Sequence, residues 1–385
     1  MNPDSRGRPP RIALVSVGLG RVQRGFERYF SDVFEVVRDE LDVTLFKSGG
    51  TRSAREKVPP LLRPATAVAR VLPLGRLAGR TEYHRDCLAF GLVLLPALVR
   101  HRFDVIHCAD PPMAVVLNHL KRVCRLRSRL LYTEGSAAPP QYYPPADHVH
   151  QVACMAYRAA LAFGIPEAHM TLIPSGIHTQ QFASAAGRGE LRKKYAVPDG
   201  SFVVLSVSAI NRAHKRIDYL IEEVSRLEGD ILLWIDGNVE DPSLLDLARQ
   251  RLGRRCRITH VPSSDVPELY RLADVMVLAS LTESFGLAVV EAQCSGVPVL
   301  THNSPHFEWL VGDRDSLLDM SVPGNLAARL RELVGRRQEL AGPAQARAES
   351  VRRRFDWSSL KPAYLEMYRK LAPSSPPSSV RWPPS

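Results

Sequence analysis

From Val275 to Thr301 the sequence runs VMVLASLTESFGLAVVEAQCSGVPVLT, and few folds accommodate such a segment. Met276–Ala279 is an apolar run of the length expected for a strand buried on both faces of a parallel sheet. Leu281 to Ser284 breaks that pattern, and Ser284 is placed to cap a helix over Phe285–Cys294. Gly296 stops the helix, with Pro298 just beyond it, and Val297–Thr301 reads as the next strand. A strand, a sharp loop and a helix start make a site for an anion, because the first helical N–H groups have no partner inside the helix.

Two carboxylates frame the loop. Glu283 precedes the predicted helix and Glu291 follows eight residues later, about two turns along it. Glu283 could merely stabilise a helix start, and Glu291 could be a solvated charge. Against the second reading, Leu287, Ala288, Val289, Val290 and Ala292 around Glu291 are all apolar. A carboxylate among them needs a hydrogen-bonding partner.

The run from Glu283 through Ser284, Phe285, Gly286 and Leu287 to Glu291, with Gly296 and Pro298 after it, closely resembles the Glu-x7-Glu signature of retaining nucleotide-sugar glycosyltransferases of family 4. The resemblance extends more weakly over residues 11–371. It implies an α/β chain of the GT-B fold, with two doubly wound Rossmann-like domains facing each other across a cleft. It also implies that Glu283 lies beside the donor sugar as a catalytic group and that Glu291 binds the ribose hydroxyls. Backbone N–H groups from Ser284 to Leu287 would hold sugar and phosphates. No cofactor is expected beyond the nucleotide diphosphate sugar as co-substrate, and no metal.

A chain of 385 residues exceeds the usual size of one domain. The resemblance implies an acceptor domain over 1–172, a linker over 173–182 and a donor domain over 183–355. A helix over 356–372 would return to the first domain, ahead of a disordered Pro- and Ser-rich tail at 373–385. No run approaches the ~20 apolar residues of a membrane span. The start, MNPDSRGRPP, has no apolar signal core, and Ile12–Val17 is short enough for a strand, so a cytoplasmic protein is expected. The six cysteines show no CxxC or metal spacing and read as thiols. The net charge of +11 comes mostly from arginine, notably in KRVCRLRSR at 121–129. Such charge fits solvated helix faces or peripheral attraction to an anionic membrane. No nucleic-acid partner is expected, since the chain shows no recognition module, and a basic nucleic-acid binder stays open only as a third reading.

In chain order, Arg11–Val17 reads as a strand running into Gly18, Gly20, Arg24 and Gly25, with an amphipathic stretch over Phe26–Glu40. The glycine spacing is not that of a dinucleotide fingerprint. The resemblance puts this loop at the cleft, toward the acceptor. Residues 48–82 read as an insertion. Cys87–Val99 reads as a buried helix, Phe103–His107 and Arg129–Thr133 as strands, and Met113–Val123 as a helix. This alternation implies a parallel sheet with ligands at the carboxyl ends of its strands. Family members carry a His after the Arg129–Thr133 strand, where this chain has Glu134. Tyr142, Tyr143, His148 and His150 follow in what reads as a loop; any one of them could be an acceptor contact or an ordinary surface residue, and His148 is carried as the candidate.

The second domain opens with a helix near Glu190–Tyr195 and the strand Phe202–Ser208. Asn211, Arg212, His214, Lys215 and Arg216 then precede a helix over Ile217–Leu227. Cations at a helix start oppose its dipole unless an anion neutralises them. The resemblance makes Lys215 the catalytic group that grips the donor diphosphate; Arg216 or Arg212 could compensate for the family's second cation, and Asn211 is a further candidate donor contact. The family's phosphate-binding Arg falls at Ala209. Asp313 and Asp315 form a DxD that follows no apolar strand and reads as a loop. The reading is thus a hexosyltransferase-like enzyme that moves a sugar to a carbohydrate, lipid or small-molecule acceptor. An epimerase or sugar-phosphate synthase on the same fold, or a non-catalytic nucleotide-sugar-binding protein, stays open.

Overall fold

The computed structural model describes residues 8–21, 25–59, 81–182 and 187–372. Arg24, most of the expected insertion and the tail from Pro373 lie outside them. The chain divides into two compact units, one holding residues up to Gly176 and those from Leu360, the other Ile177–Ser359.

Each unit is built on one parallel sheet. In the first, β1 (Arg11–Ser16) pairs on one side with β2 (Asp42–Lys47), which pairs with β3 (Glu56–Lys57). On its other side β1 pairs with β4 (Val105–Cys108), followed by β5 (Arg129–Glu134), β6 (His148–Gln151) and β7 (Met170–Leu172). In the second, β8 (Phe202–Val207) is flanked by β9 (Ile231–Asp236) and then β10 (Cys256–Thr259). Its other neighbour is β11 (Val275–Val277), followed by β12 (Val299–His302) and β13 (Leu317–Leu318). Strand order therefore reverses between β1 and β4 and again between β8 and β11. At such a switch point the two neighbouring loops leave the carboxyl edge in opposite directions and open a crevice for ligand.

The sequence dictates this architecture through strands buried on both faces. Ile12, Ala13, Leu14 and Val15 are wholly buried, as are Val203, Val204 and Leu205. Helices cover both faces, which is the arrangement parallel sheets require. The helix Trp357–Leu371 begins in the second unit, and its Tyr364 and Tyr368 are buried in the first. The segment expected as an interdomain linker, 173–182, is packed. Ile173, Ile177, Thr179 and Phe182 are buried, and Ile177 forms a bridge with Asp356.

Two expectations fail here. His148 and His150 do not lie in a loop, because residues 148–151 form a strand in register with Leu131–Glu134 of β5. Their polar side chains hid its period. The helix of the central segment starts at Leu287, not Phe285, with Gly286 in the cap position at φ +95°. Phe285 is drawn away by its ring, which packs edge-on against Phe355 at 5.6 Å and Trp309 at 6.2 Å. Ser284 is therefore outside the helix and is not its cap. Gly296 does end it, at φ +79°, with its N–H donating to Gln293 O at 2.9 Å.

Candidate functional site

At the second switch point, the loop after β8 and the loop after β11 come side by side. Asn211 organises the first of them. Its Oδ1 accepts the backbone N–H of Lys215 (2.8 Å) and of His214 (3.1 Å), while its Nδ2 donates to Glu240 (2.8 Å). That turn aims Lys215 at the second loop, where Nζ meets Glu283 Oε1 at 2.5 Å. The pair is largely withdrawn from water, the Glu283 side chain being 6% exposed and that of Lys215 18%. Two histidines fix the carbonyls of the second loop. His214 Nε2 donates to Thr282 O at 3.0 Å, and His306 Nε2 donates to Phe285 O at 3.1 Å. Burial holds the His306 pKa below its usual range, which keeps that ring neutral.

Behind the loop, Leu287–Cys294 presents the unpaired N–H groups of a helix start. Glu291 is buried, and its partner is the hydroxyl of Tyr270, which donates at 3.0 Å. Gly237 permits close passage of a third loop, since a Cβ there would stand 2.0 Å from Ser208 O. The structure thus brings together Asn211, Lys215, Glu283 and the 284–287 backbone on one edge, with Glu291 on the helix below.

The other predicted donor contacts are placed differently. Arg216 stands at the helix start in left-handed backbone, but its guanidinium donates to Met320 O (2.8 Å) and Ala279 O (3.3 Å) and lies over the Tyr219 ring. It ties the segments just after β11 and β13 to the helix start instead of facing a ligand. Arg212 is turned to Asp241 at 3.0 Å and Asp218 at 3.6 Å. Of the three basic residues expected at the diphosphate, Lys215 alone is paired with Glu283. The Phe285 side chain is buried, leaving only its backbone to a ligand. Asp313 caps a short 3-10 turn over Arg314–Ser316, not an open loop, its oxygens accepting from Asp315 N–H and the Ser316 hydroxyl at 3.1 Å each.

In the first unit, the loop after β1 packs backbone to backbone against the loop after β2. Gly20 has φ +85°, and a Cβ on it would lie 2.3 Å from Gly49. Gly18 closes the turn by accepting from Arg21 N–H at 3.0 Å, and Gly25 begins the helix Gly25–Val37. Glu134, at the carboxyl end of β5, is buried. It accepts from the Tyr132 hydroxyl (2.8 Å) and from Ser136 N–H and hydroxyl (2.5 and 2.7 Å). Beside it in register, Gln151 donates to the Tyr143 hydroxyl at 3.2 Å while its own Oε1 accepts no hydrogen bond among the described residues. Gln151 carried no signal in the sequence.

His148 does not belong to this edge. It opens β6 at the opposite, amino end and bonds Thr171 Oγ1 at 2.8 Å. An acceptor at the carboxyl edge cannot reach it. His107, which the sequence left unassigned, and His150, which it offered as a possible acceptor contact, lie inside the unit, where a polar network holds them. His107 bonds the Tyr368 hydroxyl (2.7 Å) and Thr133 (2.5 Å), Thr133 bonds His150 (2.9 Å), and His150 bonds the Tyr29 hydroxyl (3.1 Å) and Ile173 O (2.8 Å).

Two parallel sheets of this order, each with its switch-point loops formed, define the chain as α/β of the GT-B fold. Sucrose-phosphate synthase from Thermosynechococcus elongatus superposes with a TM-score of 0.78 at 18% identity, covering 94% of this chain and 99% of that one. The HepE protein of Anabaena in complex with UDP-glucose does so with a TM-score of 0.73 at 18% identity, covering 94% and 99%. In sequence, the D-inositol 3-phosphate glycosyltransferase of Kineococcus radiotolerans is 26% identical over 94% of this chain and 95% of its own. That of Geodermatophilus obscurus is 27% identical over 95% and 92%. Residues 187–348 match the family described as glycosyl transferases group 1. The chain is a glycosyltransferase, and its second unit carries the group 1 domain. Among the described residues no helix is long and apolar enough to cross a membrane.

Proposed function

We propose that this glycosyltransferase belongs to family 4 and moves a sugar from a nucleotide diphosphate sugar to an acceptor hydroxyl with retention, without a metal. The observation that carries this reading is the Lys215–Glu283 pair at the switch point of the second sheet, 68 residues apart in sequence and 2.5 Å apart in space. Lys215 is held where leaving-group charge develops beside a helix start, and a preorganised cation there lowers the barrier to departure of the diphosphate. Glu283, released from part of that pairing when the diphosphate arrives, faces the donor sugar. Glu291 takes the ribose hydroxyls, with Tyr270 fixing its orientation. The first unit recognises the acceptor through the Gly18–Gly20 loop and the Glu134–Gln151 edge. The UDP-glucose bound by HepE and the glycosyltransferase activity in the relatives' names support a nucleotide-sugar donor.

The test begins with a thermal-shift screen of nucleotide sugars, since a ligand bound only by the folded chain raises its melting point. The nucleotide sugar that shifts it is then incubated with candidate acceptors, and the product's anomeric configuration is read by NMR with and without chelator. Retention that survives chelator is expected. Inversion, or activity lost to chelator and restored by magnesium or manganese, overturns the mechanism. A shift followed by free nucleotide but no glycoside would instead favour an epimerase.

A further inference from the structure

The amino edge of the first sheet carries a second feature, on the side opposite the switch-point loops. A pocket of about 460 Å³ opens there, lined by Arg8, Arg102, Arg125 and Arg127 on its polar side and by Leu98, Phe103 and Leu126 among its apolar residues. It lies between the end of the helix Glu82–His101 and the loop joining Pro111–Val123 to β5. Part of the local charge has an ordinary explanation. Arg100, Lys121 and Arg122 sit in the last turns of these helices, where cations complement the dipole, and Lys121 is paired with Asp147. The one acid of the lining, Asp104, is already occupied, accepting from Arg8 (3.3 Å) and from Arg11 N–H (2.8 Å).

Arg102, as the C-cap of Glu82–His101, shares that explanation, but Arg125 and Arg127, past the C-cap Cys124 of Pro111–Val123, do not. All three are exposed, and among the described residues none forms an ion pair. Apolar side chains stand out at the ends of the same two helices. Val99, in the pocket wall, is 50% exposed and Val123 is 66% exposed. Arginines around an apolar wall with protruding valines match a surface that is anionic outside and apolar beneath. A soluble phosphate would leave the valines in water.

We propose that this pocket and its arginine rim dock the protein on a membrane through anionic phospholipid headgroups, with Val99 and Val123 entering the headgroup region. The proposal is independent of the donor site, because it rests on the opposite edge of the other unit. Each Arg near an anionic bilayer contributes about fivefold in partition, so removing three lowers it roughly a hundredfold.

The test is sedimentation of the full chain with vesicles of phosphatidylcholine alone, or with about a third phosphatidylglycerol. The variant is R102N/R125N/R127N, asparagine being chosen because Arg102 and Arg125 have φ of 49° and 51° and Asn tolerates that region. Expected is binding to the anionic vesicles only, weakened by salt, lost in the triple variant and reduced several-fold in V99S/V123S. If the triple variant fails to fold, R127N alone is read, with a fivefold loss expected. No binding to anionic vesicles overturns the proposal, as does binding that the variants leave unchanged. It is equally overturned if inorganic phosphate raises the melting point of wild type but not of the variant, with no vesicle binding.

Discussion

The two sheets treat their polar groups in opposite ways. In the second unit, Lys215 and Glu283 are charged and sit on loops at the carboxyl edge, each neutralised by the other. In the first, His107, Thr133, His150, Tyr29 and Tyr368 are uncharged and lie within the fold, each satisfied by a neighbour. The first arrangement can be re-partnered, since on the proposed reading a diphosphate would compete with Glu283 for Lys215. The second cannot, because opening it leaves buried polar groups without partners, at about 1–3 kcal/mol each. Paired charge at a loop edge is poised for ligand exchange, whereas a closed neutral network holds structure.

Acid should break this comparison most strongly. Burial lowers His107, and lowers His148 and His150 to about 4, against an ordinary value near 6.5. Between those values the unfolded chain binds more protons than the folded one. Stability therefore falls as pH drops from about 6.5 to 4, by on the order of 3 kcal/mol for each histidine that titrates fully. Asp110, raised by burial, works the other way at the lower end of the range. Chemical denaturation at stepped pH should show this slope, and His150→Gln should flatten it.

Lys215→Ala comes next. A charge-assisted contact to phosphate is worth about 1.5–3 kcal/mol, so transfer should fall tenfold to a hundredfold in kcat/KM. From the helix dipole alone, removing a cation at this helix start would leave the free protein unharmed or slightly more stable. The structure reverses that expectation, because Glu283 would be left almost buried and without its cation. The melting point should drop, and the Glu283→Gln background should restore part of it. If it rises instead, the ion pair is not formed in solution.

Arg216→Ala should give the smallest effect on chemistry. With its guanidinium committed to Met320 O and Ala279 O, the loss should be about 1–2 kcal/mol of stability and little change in kcat/KM at temperatures where the variant is folded. A rate loss equal to that of Lys215→Ala would return Arg216 to the diphosphate.

Much of the fold was legible in the chain. Apolar runs such as Ile231–Leu233 and punctuation such as Gly296 and Pro298 act over a few residues, so strand, loop and helix follow locally. β6 escaped because its residues, His148 to Gln151, are mostly polar, and their burial rests on partners far along the chain. Tyr29 and Ile173 are 121 and 23 residues from His150.

The same division runs through the candidate site. By itself the sequence determined the alternation of strands and helices, the loop between Glu283 and Glu291, and a cation at position 215. Those follow from patterning within a short window. Tertiary structure decided that Lys215 meets Glu283, that Arg216 turns to backbone carbonyls, and that Phe285 is pulled from the helix into an aromatic cluster. The reason is physical. A charged or aromatic side chain takes whichever partner the packing of distant segments brings within reach, and spacing along the chain carries no record of that choice.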